Sequence, residues 1–63
     1  MNYKEFTQKI AKEDGWYFLR SGKGSHKIWA HPVKTRRLSV PDHGSKDMGK
    51  GLINSLLKDA GLK

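Results

Sequence analysis

Gly15-Trp16-Tyr17-Phe18-Leu19-Arg20-Ser21-Gly22-Lys23-Gly24-Ser25-His26-Lys27-Ile28-Trp29 holds two runs of bulky residues separated by a polar, glycine-rich break. Trp16 to Arg20 is too short for a helix between Gly15 and Ser21-Gly22-Lys23-Gly24, and its aromatic content suits a strand. His26 to His31 reads as a second strand, which Pro32 ends. Val33, Lys34 and Thr35 are turn residues, after which Arg36 to Val40 makes a third strand closed by Pro41. Two successive hairpins give an antiparallel three-stranded meander.

Helices flank this meander. Asn2 is a good N-cap with Glu5 three residues on, as in a capping box, and Tyr3, Phe6 and Ile10 share one face with Ala11 beside them. Gly15 supplies the left-handed stop, and Lys4, Lys9 and Lys12 read as a solvated outer side. Asp42 to Lys50 shows no clear period beyond one helical turn at Lys46 to Met48. Leu52, Ile53, Leu56, Leu57 and Ala60 then mark one face of a second helix that Gly61 terminates. The expected fold is α+β, a small α-β-β-β-α domain whose two helices bury their stripes against one sheet face.

The composition excludes several function classes. The chain has 63 residues, thirteen Lys and Arg against six Asp and Glu, a formal net charge of +7 and no cysteine. One domain, residues 1–63, is expected, burying only about 60% of the surface its unfolded form exposes. A large enclosed active-site cavity does not fit that size. Without cysteine there is no disulfide framework, thiolate nucleophile or cysteine-ligated zinc. The histidines are too scattered to announce a metal site, and no cofactor is expected. The longest apolar run, Trp16 to Leu19, is far short of a membrane span or signal-peptide core, so a cytoplasmic chain with no membrane partner is the expectation. The excess of positive charge points to nucleic acid, with an acidic protein as the alternative partner.

Within this frame His26 is the residue that can do chemistry. Imidazole, with an unperturbed pKa of about 6.5, exchanges protons near neutral pH. Lys23, Lys27 and the backbone of Gly22 to Ser25 are the nearest groups in sequence to offset phosphate charge, and glycine lets backbone approach a phosphate closely. The competing reading is a half-buried strand histidine with a hydrogen-bonded ring. Strict alternation also sets a puzzle, because it puts His26 on the face of Ile28, an obvious core residue. We expect the Gly-Ser turn to delay regular pairing and free His26 at the strand end. Trp16, Phe18, Ile28, Leu38 and Val40 should then face the helices, leaving Tyr17, Leu19, Trp29 and His31 on the open face. Tyr17 and Trp29 would there form a platform for bases or a patch for a partner. Arg36 and Arg37 alternate, so one of them at most, here Arg37, joins an RNA path.

The sequence pattern resembles the HicA family of bacterial toxin ribonucleases. Its carriers are Gly24-Ser25-His26 after an aromatic strand, Val40-Pro41-Asp42-His43-Gly44, and a helix ending Lys58-Asp59-Ala60-Gly61-Leu62. The resemblance spans nearly the whole chain and implies a small version of the double-stranded-RNA-binding fold. It further implies a metal-independent endoribonuclease that cleaves messenger RNA and is neutralised by a HicB-type antitoxin, expected to be acidic. The histidine this family uses in catalysis aligns with His26. His43 matches a position where the family commonly has histidine; it reads either as a phosphate contact or second proton-transfer group, or as a cap of the following turn. The RNA-binding set is thus Lys23, Gly24, Ser25, Lys27, Arg37 and His43, and the antitoxin-binding set Tyr17, Trp29 and His26. Two rivals share the fold: a non-catalytic RNA-binding module and a basic protein-interaction domain.

Overall fold

A computed structural model describes all residues, Met1–Lys63. The order is α1 (Tyr3–Asp14), β1 (Tyr17–Ser21), β2 (His26–Ala30), β3 (Leu38–Pro41) and α2 (Lys50–Asp59). The strands form one antiparallel sheet in the order β1-β2-β3, so the expected α-β-β-β-α architecture is present.

Helix α1 begins where the sequence signal lies. The Asn2 side chain accepts from the Glu5 amide at 2.9 Å and the Glu5 carboxylate accepts from the Asn2 amide at 3.0 Å, closing the capping box. Gly15, at φ 84°, ends it in the left-handed conformation. Helix α2 ends similarly: Gly61 sits at φ 78°, and the Leu62 amide donates to Leu57 at 2.9 Å.

Phe6 and Ile10 of α1, Trp16, Leu38 and Val40 of β3, Leu56 of α2 and Ala60 at its C-cap form the core cluster. Fully burying a side chain such as Phe6 or Ile10 contributes about 1.5–3 kcal/mol. Both helices therefore cover the sheet face that carries Leu38 and Val40.

Register then fixes the rest of each strand, and it departs from the alternation expected above. Leu38 pairs with Trp29 and Val40 with Lys27, while Ser39 pairs with Ile28 and Pro41 with His26. Directly paired residues share a face. Trp29 and Lys27 consequently lie on the helix side, and His26, Ile28 and Ser39 on the open side.

Ile28 is thus not a core residue; it is half-buried beside Gly22, where a Cβ would lie 3.1 Å from Ile28 Cδ1. Phe18, expected in the core, is 49% exposed at the sheet edge. A bulge between Phe18 and Arg20 shifts β1, pairing Phe18 with Trp29 and Arg20 with Ile28. Leu52 is exposed rather than part of the buried stripe of α2. Arg36 and Arg37 precede β3, and Asp42 to Gly49 contains turns but no helix.

Candidate functional site

The β1–β2 turn is tied at both ends. Gly22 donates its amide to the His26 carbonyl at 2.8 Å, and His26 donates to Lys23 at 3.2 Å. Gly24 takes φ 62°, which glycine adopts without the steric cost other residues meet. The amides of Lys23, Gly24 and Ser25 have no acceptor within the chain. Three consecutive unengaged N–H groups in an exposed turn are donors available to an anion.

His26 opens β2 in register with Pro41. The puzzle of its face is resolved without any delay in pairing: His26 and Ile28 do share a face, and that face is the open one. The His26 side chain is exposed, and its Nδ1 lies 3.0 Å from Ser39 Oγ. Nε2 has no partner within the chain. Just beyond the pair, the Asp42 amide donates to the Ser25 carbonyl at 2.9 Å, bringing Asp42-His43-Gly44 alongside Gly24-Ser25-His26. Asp42 holds its own turn, its carboxylate accepting from the Gly44 amide at 3.0 Å. His43 is exposed in that turn.

The remaining expected site residues divide. Lys23, Gly24 and Ser25 are exposed in the turn beside His26. Lys27 pairs with Val40 on the helix side, so alternation carries it away from the His26 face. Arg37 lies next to the Trp29–Leu38 pair, at the far end of β2 and β3 from His26, and its Nη1 bonds the Thr35 carbonyl at 3.3 Å. Tyr17 pairs with Ala30, which places it on the open face, about 13 Å along β2 from His26 at the usual strand rise.

Trp29 is not on the open face. Its Nε1 donates to the Tyr3 hydroxyl at 3.0 Å, and its ring meets Tyr3 and Phe18 edge-on. The pairing with Leu38 turns it inward.

His31, also expected on the open face, is a structural residue. Its Nδ1 accepts from the amides of Val33 and Lys34 at 3.1 and 3.0 Å, so Nε2 carries the proton donated to the Asp14 carbonyl at 2.5 Å. Its ring packs edge-on against Trp16.

Two residues on or near this site, Ser39 and Arg20, carried no site signal in the sequence, and neither did Asp14, which lies away from it. Ser39 stands between buried Leu38 and Val40, and only the strand pairing shows that it reaches His26. Arg20 faces outward opposite Ile28, on the side that bears His26. Asp14 anchors the opposite end of the molecule, bonded to Lys34 Nζ and to Trp16 Nε1. The hydrogen bond from Lys34 holds the Asp14 carboxyl below the usual carboxylate range. Lys34 also donates to the Ala60 carbonyl at 2.7 Å and Arg36 to the Asp59 carbonyl at 3.1 Å, two cations on the negative end of α2. They line an open hollow of about 350 Å³ that contains none of the expected site residues. No group of three His, Asp or Glu side chains comes together in the chain. No helix is long and apolar enough to cross a membrane.

A family model described as "HicA toxin of bacterial toxin-antitoxin" matches residues 4–62. The chain belongs to the HicA toxin family. It is 41% identical, over all of its own length and 98% of the relative's, to a protein of Pseudomonas fluorescens (strain Pf0-1) named "Probable mRNA interferase HicA". No solved structure matches the chain. In this HicA-family domain the glycine-rich turn, His26 and the Asp42-His43-Gly44 turn form one exposed corner of the sheet.

Proposed function

We propose that this HicA-family toxin is an endoribonuclease that cleaves messenger RNA by proton transfer at His26, and that a HicB-type antitoxin neutralises it. The observation that carries this reading is the exposed His26 imidazole, held by one nitrogen and free at the other, beside three unengaged amides. RNA brings its own nucleophile. Nε2 takes the proton of the ribose 2′-hydroxyl as O2′ bonds to phosphorus and the bond to the 5′ oxygen breaks; that oxygen takes a proton from solvent, and the imidazolium returns its proton to water. The products are a 2′,3′-cyclic phosphate and a 5′-hydroxyl end.

The tethered 2′-hydroxyl is already oriented, so the protein need not position a separate nucleophile. Charge building on the phosphate is met by the amides of Lys23, Gly24 and Ser25 and by the Lys23 side chain. One histidine on an open surface supplies an acceleration of about 10² to 10⁴ from general acid-base catalysis. His43, in the adjoining turn, serves as a phosphate contact.

Incubating the protein with a defined single-stranded RNA, and with the same strand carrying one 2′-deoxy residue at the cut position, tests this. The RNA is cut to a cyclic phosphate, the deoxy position is spared, and a chelator changes neither result. His26→Ala abolishes cleavage while RNA affinity and thermal midpoint stay near wild type. Wild-type cleavage by that variant overturns the reading.

A further inference from the structure

Ser39 Oγ is the one group within the chain that bonds the His26 ring, at 3.0 Å from Nδ1. Building on the His26 reading above, we infer that Ser39 is a positioning residue: it holds the imidazole across the β2–β3 ladder so that Nε2, and not Nδ1, meets the RNA.

An exposed histidine at the start of a strand otherwise samples several rotamers, and ring flips exchange its two nitrogens. Ser39 restricts both. Its own backbone is well fixed, because Leu38 and Val40 on either side are 2% and 0% exposed. Ser39 pairs with Ile28 and His26 with Pro41, so serine and histidine are diagonal neighbours on one sheet face, a separation that a histidine side chain spans. Ile28, half-buried against Gly22, lies between His26 and Ala30 along β2, on the same face as His26.

A hydroxyl suits this task because its oxygen accepts from Nδ1–H whether or not Nε2 is protonated. When His26 is neutral and acts as base at Nε2, Nδ1 carries hydrogen and donates to Ser39 Oγ. When Nε2 has taken the 2′-hydroxyl proton, Nδ1 still donates to the same oxygen. The ring keeps one orientation through the whole proton cycle, and Ser39 itself neither gains nor loses a proton. A methyl group in the same place offers no acceptor.

The test compares Ser39→Thr with Ser39→Val, two β-branched side chains of similar shape that differ by the hydroxyl. Turnover of a defined RNA, KM and thermal midpoint are measured for both, alongside Ser39→Ala and His26→Ala. Ser39→Thr keeps a kcat within about twofold of wild type. Ser39→Val and Ser39→Ala lose on the order of fivefold to tenfold in kcat, the worth of one neutral hydrogen bond, with KM unchanged. Equal kcat for the Thr and Val variants, or a loss confined to KM, overturns the assignment of Ser39 while inactive His26→Ala leaves the parent reading standing. Active His26→Ala overturns both.

Discussion

The amide of Asp42 donates to the carbonyl of Ser25 at 2.9 Å, one step past the His26–Pro41 pair. This bond extends the β2–β3 ladder beyond its last paired residues and sets two loops, far apart in sequence, edge to edge. The corner so formed is basic, exposed and opposite the hydrophobic core.

Affinity for RNA at such a corner comes largely from cation–phosphate contacts. Log affinity for a single strand is expected to fall with log salt at about −0.7 per contacted phosphate. Replacing Lys23 or Arg20 by alanine shallows the slope; replacing Lys9, which pairs with Glu13 at 2.8 Å on the outside of α1, leaves it unchanged. Lys27→Ala has a smaller effect than Lys23→Ala because Lys27 faces the helices. Titrations of fluorescent RNA across a salt series measure each slope.

Acid stability is expected to depend on Asp14. Its carboxyl is held below the ordinary value of 3.8, first by the Lys34 hydrogen bond. The folded state therefore binds fewer protons than the unfolded state in this range, so the contribution is fully present above about pH 4 and is lost as pH falls through the folded-state value. Thermal midpoints measured from pH 7 to pH 2.5 should fall steeply at the acid end for wild type and less steeply for Asp14→Asn.

Tyr3 and Trp29 join α1 to β2. Tyr3→Phe removes the hydroxyl that accepts from Trp29 Nε1 and is expected to cost about 1 kcal/mol. Trp29→Ala removes a half-buried ring from the edge of the core and is expected to cost about 2–3 kcal/mol, below the range for fully buried aromatics. Urea unfolding with a common m-value checks both.

An antitoxin that covers the open face meets Tyr17 and His26 directly. Tyr17→Ala is expected to weaken the complex at least about tenfold, as truncation of an interface aromatic commonly does, with a thermal midpoint unchanged in the free toxin. Calorimetric titration with the purified antitoxin measures it. Trp29→Ala does not separate binding from folding, since the ring is part of the packing.

Helix boundaries were legible because their signals are local: Asn2 with Glu5 at one end, and Gly15 and Gly61 at the others. The strand positions were legible to within a residue or two from aromatic content and the Gly and Pro breaks. Which face each strand residue takes was not. It depends on Leu38 pairing with Trp29 and on a bulge in β1, relations between distant segments that no single strand encodes. His26 is exposed, as its loop predicts, but the cause is the strand pairing: Ile28 shares its face, and that face is the open one. Ser39 had no signal because a lone serine in a strand resembles any solvent-facing position until its partner strand is known. His31 was misplaced for the same cause; its partners are a carbonyl at the end of α1 and two amides in the turn that follows it.

The two faces of this sheet perform separate tasks, and strand alternation is all that separates them. Sliding β3 by one residue against β2 would turn Leu38 and Val40 toward solvent and Ser39 inward, because a one-step shift exchanges the faces of the whole strand. A chain folded in that frame would expose its core residues and take Ser39 away from His26. Correct pairing thus acts as a proofreading step, in which the chain that succeeds in hiding its oily side is also the chain that brings Ser39 to His26.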